Sequence, residues 1–220
     1  MTAMDSDAGE RPQPPGAAAG DHYFAERPGS PATTRALRVR LRGRDVTVTT
    51  AGGVFSPDRL DPGTEVLLRE APVLPPGGDL LDLGCGWGPL ALSMALASPA
   101  STVWAVDVNE RARHLTRHNA VSLALPGLRV VAPHEVPAGL RFDAIWSNPP
   151  IRIGKAGLHQ LLLQWLPRLS AGASGWLVVQ RNLGADSLHR WLQHALADVA
   201  TVERSASSKG YRVLRVRYLH

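Results

Sequence analysis

The chain has one cysteine, Cys85, in 220 residues, so neither a disulfide framework nor a thiolate metal cluster can be built, and no metal is expected. Aromatic residues make up only 5% against 44% apolar residues, so the core must be largely Leu, Val and Ala. No apolar run is long enough to span a membrane, and the N-terminus lacks the apolar centre of a signal peptide. A cytoplasmic protein without a membrane partner is the expectation. Lysine is scarce: Lys155 and Lys209 stand alone in a basic set of 24, so the net charge of +5 is carried by arginine. That excess suits a nucleic-acid partner, although a GC-rich genome also raises arginine. There is no internal repeat.

What is present is organised around Leu80-Leu81-Asp82-Leu83-Gly84-Cys85-Gly86-Trp87-Gly88-Pro89-Leu90. Residues 79–83 read as a short buried strand, and 89–96 as a helix with Leu90, Leu92, Met94 and Leu96 among alanines. A glycine-rich turn between them lets backbone approach a ligand and aims the helix's first N–H groups at it. The dinucleotide fingerprint G-x-G-x-x-G would need glycine at position 89. Pro89 stands there, which disfavours a nicotinamide-dependent oxidoreductase. The G-x-G-x-G spacing after Asp-Leu looks instead like motif I of the class I S-adenosylmethionine (SAM) methyltransferases. Asp107 closes the next apolar run, 102–106, where an acid at a strand end is placed to take both hydroxyls of a ribose. Cys85, inside the turn, reads as a small filler.

A second motif, Asn148-Pro149-Pro150, follows the apolar run 142–147. In an open α/β sheet it therefore sits at a strand's C-terminal end, where ligands bind, beside the glycine turn. An exocyclic amine or a carboxamide has a delocalised nitrogen lone pair and is a poor nucleophile. If the Asn148 side-chain oxygen and the Pro149 carbonyl each accept one N–H, that lone pair is pointed at a methyl group. The prolines stiffen the loop.

Between these motifs the chain alternates strand and helix. Residues 36–50 read as a hairpin interrupted by Gly43-Arg44-Asp45, with Arg35, Arg38, Arg40, Arg42 and Arg44 on or near its polar face. Those arginines fit a solvated face or a phosphate contact equally. Asp61 or Thr64 is placed to cap a helix carrying Leu67 and Leu68. Helices are expected over 110–123, 158–166 and 187–196, and strands over 128–131, 175–179, 200–203 and 211–218. That alternation implies a parallel sheet with helices on both faces. Residues 1–20 read as a disordered tail. Residues 21–220 read as one domain, with 21–70 an N-terminal extension and 71–220 a Rossmann-like core; His22-Tyr23-Phe24 is expected to anchor the extension, packing being the commoner fate of aromatics, with lining a substrate groove the alternative.

With these residues together, the chain resembles the methyltransferase small-domain family, specifically its RsmC-type 16S ribosomal RNA guanine-N2 methyltransferases. The resemblance runs through His22-Tyr23-Phe24, Gly53-Val54-Phe55-Ser56, Asp61-Pro62-Gly63-Thr64, the glycine turn, Asp107, Asn119 and Asn148-Pro149-Pro150. The version from Asn148 to Lys155 is similar to a single-domain branch. It implies a seven-stranded sheet whose last strand is antiparallel. It also implies that Asp82, Gly84 and Gly86 hold the methionine part of SAM, that Gly63 and Thr64 help bind its carboxylate, and that Asp107 holds its ribose. Asn148, Pro149 and Pro150 are implied as the catalytic loop, with Asn148 also against the cofactor, and Phe55 as part of a loop over the site. The sequence departs from related amine methyltransferases at Ile151, where they carry Tyr or Phe to stack on the target. Ile151 can pack on a flat base, and Phe55 or the Arg152 guanidinium is expected to supply the remaining face. After the third strand the chain reads Ala132-Pro133-His134-Glu135, and no residue there is assigned to the adenine.

The expectation is therefore SAM-dependent methylation of a guanine exocyclic amine in ribosomal RNA or the small subunit. The alternatives are a protein glutamine N-methyltransferase and a non-catalytic RNA-binding factor that keeps the SAM fold. Oligomeric state is open, with a monomer the simpler expectation.

Overall fold

The computed structural model describes residues 33–220. The tail expected over 1–20 and the His22-Tyr23-Phe24 anchor lie outside the described residues. The described chain opens with β1 (Thr34–Leu41) and β2 (Arg44–Ala51), an antiparallel hairpin whose register pairs Leu37 with Val48 and Val39 with Val46. Arg42 and Gly43 form the turn, at φ 51° and 80°. A two-residue turn with both φ positive matches the twist of the strands it joins. The interruption expected at Gly43-Arg44-Asp45 thus starts one residue earlier, and Arg44 and Asp45 already belong to β2.

Seven further strands form one sheet in the order β5-β4-β3-β6-β7-β9-β8. They are β3 (Gly78–Leu83), β4 (Ser101–Val106), β5 (Leu128–Val131), β6 (Phe142–Ser147), β7 (Leu169–Gln180), β8 (Ala200–Ser208) and β9 (Tyr211–Tyr218). All pairs are parallel except those of β9, which runs antiparallel to β7 and β8. β7 and β8 are longer than their hydrophobic patterns suggested. β7 begins in the small, half-exposed stretch Ser170-Ala171-Gly172-Ala173-Ser174, and β8 carries a register shift between Arg204 and Ala206. Neither stretch alternates cleanly enough to be read as strand.

Among the described residues five α-helices cover the sheet: α1 (Pro62–Glu70), α2 (Pro89–Ala97), α3 (Glu110–Ser122), α4 (Gly154–Trp165) and α5 (Ala185–Ala195). Central strands are apolar at successive positions because both faces are covered. Leu80, Ala144, Trp146 and Val178 pack under α1 and α2, while Leu177, Val179 and Leu214 pack under α4 and α5. Helix α2 is apolar all round for a related reason: Leu90, Ala91 and Met94 face the sheet and Leu92 faces the hairpin.

The hairpin's inner face, Leu41 and Val48, seats on Trp87, Leu92, Ala112 and Leu115. Asn119 of α3 bolts it in place. Its Oδ1 accepts from the Thr49 N–H at 2.7 Å, and its Nδ2 donates to the carbonyls of Thr49 and Trp87, each at 3.0 Å. Arg38 and Arg40 lie on the outer face and Arg42 in the turn, whereas Arg35, which pairs with Asp58, and Arg44, opposite Leu41, fall in register with the inner face at its exposed ends.

Candidate active site

Strand β3 lies between β4 and β6, and the chain reverses its direction of sheet growth between β3 and β6. The loops leaving those two strands meet at this switch point, where an open sheet leaves a crevice. Ser147 ties them together, its hydroxyl donating to the Leu83 carbonyl at 2.6 Å.

The turn after β3 is shaped by its glycines. Gly84, Gly86 and Gly88 have φ of 81°, 58° and 99°, but for different reasons. A Cβ on Gly84 or Gly86 would meet nothing within 4 Å, so both face open space. A Cβ on Gly88 would lie 2.9 Å from Thr116 Cγ2, so that glycine serves packing. The N–H groups of Gly84 and Cys85 both donate to the Val106 carbonyl, and Gly86 N–H donates to Asp107 Oδ2 at 2.9 Å. Cys85 is buried, with its thiol pushed well above its ordinary value by burial and then by the charges of Asp107 and Asp82. It is an inert filler, as its neighbours suggested.

Asp82 is fully buried. Its Oδ2 accepts from the Ala91 N–H in the first turn of α2 at 2.8 Å, and its Oδ1 has no partner. Burial pushes its carboxyl up to about 8; the Ala91 N–H opposes the shift and the Asp107 charge adds to it. Asp107 is also raised by burial, opposed by N–H groups of Asn109 and Gly86 and by the Arg113 guanidinium. Its Oδ1 accepts from the Asn109 N–H at 2.9 Å, and the Val108 N–H also supports the carboxylate.

The loop after β6 is met from the other side by α1. Asp61 caps that helix, its Oδ2 accepting from the Thr64 N–H at 2.9 Å. The Asn148 Nδ2 donates to the same Asp61 Oδ2 at 2.8 Å and to Thr64 Oγ1 at 3.0 Å. Of the two caps the sequence offered, Asp61 is the one used, and Thr64 binds Asn148. Gly63 packs under Tyr211 of β9, where a Cβ would come within 2.7 Å of the ring. Pro149 is buried and Pro150 half-buried, and the chain then turns through Ile151–Ile153, with Ile151 half-buried and Arg152 exposed.

These elements enclose a cavity of about 420 Å³. Its walls bring together Gly84, Gly86, Asp107, Asn148, Pro149, Pro150, Ile151, Arg152 and Phe55. Asp82 and Thr64 line a smaller recess that adjoins it through Phe55, Asp61, Gly84, Gly86 and Asn148. Gly63 is the one candidate that lines neither; its side faces Tyr211. The sequence reading missed Tyr211, Val108, Pro133 and Trp165, all in the larger wall. Glu135 caps its own short turn by accepting from the Ala132 N–H, which lowers its carboxyl, so Pro133 rather than Glu135 faces the cavity.

The loop that carries Phe55 is clamped on both sides. Arg111 and Asn109 donate to the carbonyls of Gly52 and Gly53 at 2.9 Å, and Trp87 and Thr50 donate to those of Ser56 and Pro57. Phe55 itself is 37% exposed. Among the described residues no group of His, Cys and acidic side chains could hold a metal, and no helix is long and apolar enough to cross a membrane.

The sequence profile described as methyltransferase small domain matches residues 45–215. The chain is 32% identical over 200 residues to the uncharacterized protein YbxB of Bacillus subtilis, a match spanning 90% of this chain and 98% of that protein. It is also 32% identical over 149 residues to ribosomal RNA small subunit methyltransferase C of Shewanella halifaxensis, covering 63% of this chain and 41% of the relative. The chain thus spans less than half the length of that relative. Among solved structures, a T. thermophilus 16S rRNA N2 methyltransferase (RsmC) in complex with AdoMet and guanosine superposes with a TM-score of 0.71 at 25% identity. That match covers 87% of this chain and 52% of the other.

Proposed function

We propose that this chain, which belongs to the methyltransferase small domain family and uses SAM, methylates the N2 amine of a guanine in 16S ribosomal RNA. The observation that carries the reading is the state of Asn148. Both of its amide hydrogens are taken by Asp61 and Thr64, so its Oδ1 remains an acceptor at the cavity wall, next in the chain to the Pro149 carbonyl.

SAM, when bound, supplies an electrophilic methyl group on a sulfonium. Asp82, Gly84 and Gly86 hold its methionine part. The unpartnered Asp82 Oδ1 is the acceptor an ammonium requires, and Gly84 and Gly86 leave open the volume that a Cβ would fill. Thr64 stands in the same recess, and Gly63, second in its helix, has an N–H without an intrahelical carbonyl to bond, which suits a carboxylate. Asp107 takes the ribose, and Val108 and Pro133 offer an apolar wall for the adenine.

Asn148 Oδ1 and the Pro149 carbonyl then each accept one N–H of the guanine amine, which turns its lone pair toward the methyl group. Pro149 and Pro150 fix that carbonyl. No strong base would be needed: as the N–CH3 bond forms the S–CH3 bond breaks to leave S-adenosylhomocysteine, and the nitrogen proton, acidic once the fourth bond has formed, would leave to water. The base must leave its helix to reach this loop. Phe55, in its clamped loop, and the Arg152 guanidinium provide the flat contacts that Ile151 cannot. Residues 21–220 are read as one domain, supported over the described residues by α1, which shares a core with the sheet and supplies Thr64 to the site, and a cytoplasmic location goes with the ribosomal RNA substrate.

Methyl transfer from labelled SAM, offered total RNA, ribosomal subunits and a protein extract in parallel, tests the reading. Label at N2 of a guanine in 16S RNA is the expected result. Label in protein would select glutamine methylation, and no label with SAM still bound would indicate a binding factor. Asn148→Ala is expected to abolish transfer while SAM binding persists.

A further inference from the structure

We infer that Asp61 is a positioning residue for the reaction: it fixes which atom of the Asn148 amide faces the substrate. The two halves of an asparagine amide are nearly equal in size, so packing alone cannot choose between them. Here the choice is chemical. An ionised carboxyl can only accept, and Asp61 Oδ2 lies 2.8 Å from the Asn148 nitrogen. Rotating the amide by half a turn would set two acceptors at that distance and present an NH2 to the cavity. That NH2 would repel the amine the site has to grip.

Thr64 does not suffice for the same task. Its hydroxyl accepts from Asn148 Nδ2 at 3.0 Å, but a hydroxyl can also rotate and donate, so it would tolerate a turned amide. Asp61 is held for this role by the helix it caps: its Oδ2 also receives the Thr64 N–H, and Gly63 keeps the capping turn pressed against the Tyr211 ring. One carboxylate oxygen thus couples the start of α1 to the catalytic loop, residues separated by 87 positions in the chain.

The inference rests on Asn148 as the amine acceptor, and its test is arranged to separate the two. Because the oxygen that caps α1 is the one that faces Asn148, Asp61→Asn would leave an acceptor in place, whereas Asp61→Ser keeps a hydroxyl to cap the helix but one that can donate as well as accept, so the discrimination is lost while the fold is kept. The first measurement is hydrogen exchange at the Asn148 side-chain amide by NMR, assigned by its disappearance in Asn148→Ala. Slow exchange in the full chain, and faster exchange in Asp61→Ser with an unchanged melting temperature, is expected whatever the substrate is. The second is methyl transfer to 30S subunits at saturating SAM. Asp61→Ser should lower kcat at least tenfold with SAM affinity within about threefold, and adding it to Asn148→Ala should cost nothing beyond Asn148→Ala alone, because Asp61 acts only through Asn148. Unprotected Asn148 hydrogens in the unsubstituted protein, or an Asp61→Ser enzyme with full kcat, would overturn the inference. An inactive unsubstituted enzyme with a protected amide would instead count against the ribosomal RNA reading and leave the role of Asp61 supported.

Discussion

At the scale of single residues, Asp82 carries the largest electrostatic consequence. Its carboxyl titrates near 3.8 in the unfolded chain and near 8 in the fold, because burial removes the water its charge needs. Between those values the folded state holds the extra proton. The stability this contributes is complete below about pH 4 and is lost progressively as the pH rises through about 8. Asp82→Asn, which keeps an acceptor for the Ala91 N–H, should remove that dependence. Urea titrations should show the unsubstituted protein losing up to about 1.4 kcal/mol per pH unit relative to the variant within that window. Parallel profiles would mean that Asp82 does not titrate there. The same residue predicts a proton linkage for the cofactor. An ammonium beside Oδ1 favours the charged carboxylate, so SAM binding near neutral pH should release a proton. Calorimetry in two buffers of different ionisation enthalpy would detect it, and identical heats would exclude it.

At the scale of elements, three glycines in one turn serve two purposes, and substitution should tell them apart. Gly88→Ala brings a Cβ to 2.9 Å from Thr116 in a backbone with φ of 99°, so it should destabilise the fold by about 2–4 kcal/mol. Gly84→Ala and Gly86→Ala have room, so they should cost only the left-handed backbone, about 1–2 kcal/mol, yet weaken SAM binding by more than tenfold. Denaturation and binding measured on the same three variants check the division; binding that weakens in proportion to stability across all three would refute it. Asn119 is the second device at this scale. Asn119→Leu leaves the Thr49 N–H and the Thr49 and Trp87 carbonyls without their partner, a loss of about 2–4 kcal/mol that thermal melts would show. The elements themselves were largely legible, because a buried parallel strand is a short apolar run and its end is marked by a special residue: Asp82 and the glycines after β3, Asp107 after β4, Asn148 after β6. What escaped was the first half of β7 and the second half of β8, where small and polar residues pair through backbone alone. The hairpin turn was misplaced by one residue because an arginine at positive φ leaves no mark in the sequence.

At the scale of the whole molecule, the part of the site built from strand-end loops was readable and the part built by sheet order was not. Tyr211 reaches Gly63 because β9 inserts between β7 and β8, and no local pattern around Lys209-Gly210-Tyr211 foretells that neighbour. The Asp61–Asn148 bond has the same origin: Asp61 reads only as a helix cap until the fold brings α1 against the catalytic loop. Charge distribution belongs to this scale too, and the sequence left the arginine row open between a solvated face and a phosphate contact. The fold sharpens the choice. Arg35 is neutralised by Asp58 and Arg40 stands 3.8 Å from Asp45, while Arg38, Arg42 and Arg44 are exposed with no ion pair among the described residues. Arg38 lies on the outer face, and Arg42 and Arg44 at the tip, of a hairpin whose second strand runs directly into the Phe55 loop. If that face holds RNA, replacing the three by glutamine removes charge while keeping much of each stem and the inner face that seats on Trp87. RNA affinity should then fall about equally for all sequences. The slope of log K against log salt should flatten by about 0.7 for each single-stranded phosphate no longer neutralised, roughly 2 for the three together. SAM affinity should stay unchanged and melting temperature nearly so, since the three are exposed and none lines the cavity. Filter binding of 16S RNA across a salt series decides it: an unaltered slope would return the row to a solvated face, and the phosphates would then have to be sought nearer Arg152, in the cavity wall.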